Sequence, residues 1–216
     1  MTRGTSGGAM RSKLTALSLG LALAVGIATP GAAALPAQPQ TEVSGFYRTL
    51  LTTMKAGPRL GERGRYTRLS PVVDRLFDLP AMARLAVGPE WLTLAPAQRQ
   101  QIVAAFGRYV SATYADRFDS YSGEQLQVLG EAPSTAGVIV ETRIVKSNGD
   151  PVTINYLMQR NQDRWQISDV YLDGTISQLA TQRSEFAAIL GRGGVDGLIA
   201  ALNQKVDLLT RPLTGS

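Results

Sequence analysis

The sequence predicts an α+β fold: helices first, then a curved antiparallel sheet of about four strands, then helices again, wrapped around a cone-like space. Three observations carry this. From Gly137 to Leu172, apolar residues alternate with polar ones at a period of two. On both sides of that stretch, apolar residues recur at helical spacing. Glycine and proline punctuate the helical regions often, which calls for several short helices instead of one long rod.

Residues 1–34 read as a cleavable targeting segment. Arg11 and Lys13 form a positive start, LTALSLGLALAVGIA an apolar core, and Ala32-Ala33-Ala34 a small-residue cleavage site, so the mature chain is expected to begin at Leu35. Met10, directly before Arg11, is an alternative start. The apolar run is short for a permanent span. Residues 35–40 form a Pro-rich lead without expected structure, and one domain is expected over residues 41–211.

Within that domain, Val43, Phe46, Tyr47, Leu50, Leu51 and Met54 predict a helix from Thr41 to Ala56, stopped by Gly57-Pro58. A second helix is expected from Arg65 to Phe77, with Ser70-Pro71 either in its middle or at a new first turn. A short one follows from Pro80 to Val87. The longest runs from Ala95-Pro96 to near Phe118, striped by Ile102, Val103, Phe106, Tyr109, Val110, Tyr114 and Phe118. Ala95 is a poor cap.

Strands are expected at Gln125 to Leu129, Gly137 to Lys146, Pro151 to Arg160 and Trp165 to Leu172. Ser147-Asn148-Gly149-Asp150 suits a tight hairpin, because Asn-Gly tolerates positive φ. Val138, Val140, Ile144, Val152, Ile154, Tyr156 and Met158 share one face if the register keeps them together. Helices are then expected from Ile176 to Leu190 and from Val195 onward. Residues after Arg211 are expected to fray.

Composition narrows the function. The 216 residues are 44% hydrophobic and contain neither cysteine nor histidine. That removes disulfides, thiolate and imidazole metal sites and the commonest general base, and no metal or cofactor is expected. The net charge of +5 overstates the basic character. Arg3, Arg11 and Lys13 lie in the acid-free first segment, and without them 19 basic residues face 17 acidic ones, so nucleic acid is not an expected partner. No catalytic residues are singled out. Glu141 and Asp169 allow carboxylate chemistry, but a solvated sheet face is the simpler reading. Gly191, Gly193 and Gly194 stand between helices instead of after a strand, so Gly193 and Gly194 read as a hinge or cap, not a phosphate loop. The aromatic series of the long helix suits either a core or a ligand box.

Two stretches, YADRFDSYSGEQLQVLGE (Tyr114 to Glu131) and RSEFAAILGRGGVDGLIAALNQK (Arg183 to Lys205), together with WQISDVYLDG between them, resemble the MlaC or toluene-tolerance auxiliary family. Within it, the chain is similar to the hopanoid-associated HpnM branch. The resemblance implies an NTF2-like sheet with added helices around a deep apolar pocket, no enzymatic activity, and a monomeric periplasmic carrier. Its ligand would be a phospholipid or a hopanoid. Its partners would be an inner-membrane ABC transporter complex and an outer-membrane lipoprotein or porin complex. The residues expected to line the pocket are Val103, Phe106 and Val110 on the long helix and Val138, Val140, Ile154, Tyr156 and Met158 on the sheet. Each methylene taken from water is worth about 0.8 kcal/mol, so acyl chains need such cover to cross an aqueous space. An enzyme acting on a hydrophobic substrate and an interaction module with a filled core are the competing readings.

Overall fold

A computed structural model describes residues 38–211. The targeting segment, residues 35–37 of the lead and the tail beyond Arg211 lie outside the described residues.

Helix α1, Pro39–Leu76, is one element with a break at Gly61 (φ 61, ψ −178). Pro39 sits in its first turn, where a missing N–H costs nothing, so Pro39 and Gln40 belong to the helix and not to the lead. The expected stop at Gly57-Pro58 is not a stop: both lie inside the helix. Gly57 serves packing instead. A Cβ there would stand 1.8 Å from the Asp119 carbonyl oxygen, so only glycine lets the chain just beyond Phe118 pass this close. The turn of direction comes four residues later. Ser70-Pro71 falls mid-helix, and Ser70 Oγ donates to the Tyr66 carbonyl instead of capping a new start. Buried Arg65 ties this second limb to the helix that ends at Arg117 by donating from Nε to the Ala115 carbonyl (2.8 Å).

Helix α2, Leu79–Val87, starts where expected, capped by Asp78, whose Oδ1 accepts the Ala81 N–H. A 3-10 turn, Gly88–Thr93, leads to α3, Pro96–Arg117, which at 22 residues is not the longest helix as expected, because α1 (38 residues) and α4 (32 residues) each run on through a glycine break. Ala95 has no capping oxygen. The Gln98 side chain compensates in part by reaching back to accept the Ala95 N–H. Ala105, Gly107, Ser111, Ala112 and Ala115 are buried beside Ile102, Phe106 and Val110. These small residues let neighbouring elements close in on α3 from several sides.

The sheet has five antiparallel strands in sequential order, not four: β1 Gln125–Ser134, β2 Gly137–Val145, β3 Pro151–Asn161, β4 Arg164–Leu172 and β5 Ile176–Ser177. The pair β1–β2 extends five residues beyond the expected end at Leu129, because a register shift between Val128 and Gly130 lets pairing resume past Gly130. The hairpin at Gly149 (φ 91) forms as its sequence predicts, with Gly149 N–H donating to the Lys146 carbonyl. Val138 pairs with Met158, Val140 with Tyr156 and Ile144 with Val152, so the expected apolar face holds together. Where a helix is expected to start at Ile176, the chain first makes β5. The last helix, α4, Gln178–Leu209, begins after Ser177, whose Oγ accepts the Ala180 N–H. Of the glycines expected at its break, Gly194 alone takes a positive φ (60°), whereas Gly193 does not.

The core gathers Phe46, Leu50, Leu69, Val73, Leu76 and Phe77 of the α1 region with Phe106 of α3 and Val140, Tyr156, Met158 and Ile167 of the sheet, all at most 1% exposed. It continues to α4 through Phe186, Leu198 and Leu202.

Candidate functional site

A cavity of about 100 Å³ lies between the sheet and the helices. Its walls are Ile154 of β3, Val170 and Leu172 of β4, Phe77 and Met82 beside and within α2, the C-terminal half of α3, and the first turns of α4. From α3 come Tyr109, Val110, Thr113, Tyr114 and Arg117, followed by Phe118; from α4 come Gln178, Leu179 and Gln182. Apolar side chains dominate, and no aspartate or glutamate stands on the wall. The wall also carries the polar side chains of Thr113 and Arg117 from α3 and of Gln178 and Gln182 from α4.

An aromatic cluster backs this cavity. Tyr114 stacks on Phe118 at 5.7 Å and meets Phe46 and Phe77 edge-on at 5.1 and 5.5 Å. Phe46 and Tyr47 in turn meet Tyr156 edge-on. The Tyr47 hydroxyl bonds to Thr142 Oγ1, which itself donates to the Ile154 carbonyl. Burial raises the pKa of Tyr47, Tyr114 and Tyr156 above the ordinary tyrosine value, since the anion would lose its hydration.

The residues expected to touch ligand divide by depth. Val110 and Ile154 line the cavity. Phe106, Val140, Tyr156 and Met158 are fully buried in the core beside it. Phe106 packs edge-on against Phe186. Val138 is half-buried on the same strand face, away from the wall. Val103 faces a separate groove between α1 and α3, with Tyr66 and Asp74. Periodicity marks which face turns inward, but not where the helices stand clear of it. The β4 and α4 contributions went unnoticed in the sequence: Val170 and Leu172 alternate as the other strands do, whereas Gln178 and Gln182 carry no signal.

Asp169 is not on a solvated face. It is 7% exposed, and its carboxylate accepts the N–H groups of Val170 (2.7 Å) and Leu179 (3.2 Å) and the Ser177 hydroxyl (2.6 Å). It therefore holds β5 and the start of α4 against β4. Glu141 and Arg143 are exposed. Among the described residues no group of acidic side chains is arranged to hold a metal ion.

The family model of the MlaC protein matches residues 46–204. The chain belongs to the MlaC family. Among solved structures, it is similar to the phospholipid-binding protein from Ralstonia solanacearum, determined in complex with a phospholipid. The two share 25% identity and a TM-score of 0.68, over 81% of this chain and 100% of that one.

Proposed function

We propose that this MlaC-family chain is a lipid carrier. It takes the apolar tails of a phospholipid, or of a hopanoid, into the cavity between the sheet and helices α2, α3 and α4. The observation that carries this reading is the cavity's make-up: walls dominated by apolar side chains, Val110, Ile154, Val170 and Leu179 among them, with only a few polar ones. The phospholipid held by the Ralstonia solanacearum protein supports it. A wall without a carboxylate, in a chain without histidine or cysteine, favours binding over catalysis.

The carrier works in the periplasm, between an inner-membrane ABC transporter complex and an outer-membrane lipoprotein or porin complex. Residues 1–34 export it and are removed after Ala34. Among the described residues no helix is long and apolar enough to cross a membrane, as such a shuttle requires. The deciding experiment is native mass spectrometry of the protein purified from the periplasmic fraction without detergent. An intact lipid on each chain, on a polypeptide starting at Leu35, is expected. A chain free of lipid that also takes none from vesicles would overturn the reading.

A further inference from the structure

We propose that the turn Gly88–Thr93, with the exposed side of α2 before it and Arg183 of α4 across it, is a contact surface for an anionic lipid bilayer. This surface is separate from the cavity and does not depend on the carrier reading.

The turn is built to project. None of its residues is buried. Leu92 is 79% exposed and Leu85, near the end of α2, 50%. Pro89 is exposed between them, and Trp91 is half-buried. The backbone here is nevertheless tied down. Arg99 of α3 donates from Nε to the Trp91 carbonyl (3.1 Å) and from Nη2 to the Leu92 carbonyl (3.2 Å). Its guanidinium also lies over the Trp91 ring, 5.8 Å from the centroid. Thr93 Oγ1 donates to the Glu90 carbonyl. Leu92 is therefore held out in water by the fold, with apolar area still to bury.

The surrounding charge selects the surface. Arg84 is exposed in the last turn of α2. Arg183 lies across the turn, since a Cβ at Gly88 would stand 3.1 Å from its Nε. Among the described residues, none of Arg84, Arg99 and Arg183 has a carboxylate within ion-pairing distance. Glu90 is the one acidic residue from Leu79 to Arg99, and Glu185, close to Arg183 in sequence, is taken by Lys205 (3.0 Å). The tip is thus cationic as well as apolar. A protruding leucine beside a tryptophan, ringed by arginines, matches the boundary between the head groups and acyl chains of an anionic bilayer. A folded protein partner would need a pocket shaped to Leu92, whereas a bilayer yields to it. Helix α2 turns its buried side, with Met82, to the cavity and its exposed side, with Arg84 and Leu85, outward. Seating the tip therefore brings the α2 wall of the cavity next to the membrane.

The test is co-sedimentation of the protein, as purified, with vesicles of dioleoylphosphatidylcholine alone or mixed in equal parts with dioleoylphosphatidylglycerol. The wild-type chain is expected to pellet with the mixed vesicles, to stay in the supernatant with the neutral ones, and to be released as salt rises. Leu92→Asp should weaken partitioning about tenfold. Arg84→Gln and Arg183→Gln should each weaken it about fivefold. All three side chains are exposed, so these variants should melt like wild type. In a Trp165→Phe background, which leaves Trp91 as the only tryptophan, its emission should shift to shorter wavelength on the mixed vesicles alone. A wild-type chain that ignores both vesicles overturns the proposal, leaves the carrier reading untouched and hands the tip to a protein partner. Equal binding to neutral vesicles also overturns it. So does wild-type binding that survives both Leu92→Asp and Arg183→Gln, because another face then makes the contact.

Discussion

Tyr156 shows what a single side chain does at the centre of this molecule. Its ring is fully buried and meets Phe46 and Tyr47 edge-on. Its hydroxyl lies close to those of Tyr47 and Tyr114, yet has no partner in hydrogen-bonding geometry. Removing an unpaired buried hydroxyl relieves a desolvation cost and leaves the ring packing in place. Tyr156→Phe is therefore expected to melt at the wild-type temperature or above it, by the equivalent of up to about 1 kcal/mol. A clear loss of stability would show that the hydroxyl is satisfied after all. The same burial gives an alkaline signature. The folded state holds these tyrosines protonated above their ordinary pKa of 10.0. The unfolded chain releases those protons first, so stability is full below about pH 10 and falls as pH rises beyond it. Each buried tyrosine adds about 1.4 kcal/mol of loss per pH unit in that window. Denaturant titrations at pH 9 and pH 11 should show a smaller drop for Tyr114→Phe than for wild type. Alternation was enough to place Tyr156 on the inward face. It could not separate a ring that packs against other rings from one that touches a ligand, because both satisfy the same period.

At the scale of elements, the sequence marked most boundaries and missed the reason for several. Gly57-Pro58 carries the composition of a helix stop, but the helix continues through it, since packing against Asp119 outweighs the single hydrogen bond that Pro58 cannot donate. In α4 three glycines read as one break, and the structure concentrates it on Gly194, at φ 60 and ψ −160. That region of backbone space is close to glycine-only, with a cost of about 1–3 kcal/mol for other residues. Gly191 is helical, exposed and has open space around its Cα. Gly194→Ala should then lower stability by about 1–3 kcal/mol, while Gly191→Ala raises it by about 0.5–1 kcal/mol through helix propensity. Equal effects in paired denaturant melts would refute the assignment of the break. Strand β5 was invisible because two residues carry no periodicity. Asp169 secures it together with the start of α4, so Asp169→Ala is expected to cost about 2 kcal/mol or more, having removed three hydrogen bonds to one charged group. A stable variant would mean that β5 and α4 hold their places without it.

For the molecule as a whole, the layers were legible and the empty space between them was not. Hydrophobic patterning reports that a face leaves water; it is silent on whether protein or ligand covers that face. The cavity of about 100 Å³ is also small for its proposed cargo. Ligand pockets run from about 300 to 1,000 Å³, and a cavity of about 150 Å³ accommodates one benzene ring. Acyl chains therefore require the walls to separate, and the walls divide into a fully buried core and a more loosely filled end. Val140 belongs to the core, where an added ring has no room, and overpacking costs about 1–3 kcal/mol. Ile154 is only half-buried and faces the cavity, where an added ring meets space that the lipid would otherwise fill. Val140→Trp is thus expected to lower the melting temperature of delipidated protein. Ile154→Trp should melt close to wild type but carry markedly less lipid per chain, because the indole occupies the tail's volume. Measuring both quantities on both variants locates the boundary between core and pocket. If Val140→Trp melts like wild type and expels lipid while Ile154→Trp keeps its lipid, the tails run deeper along the sheet than this cavity marks.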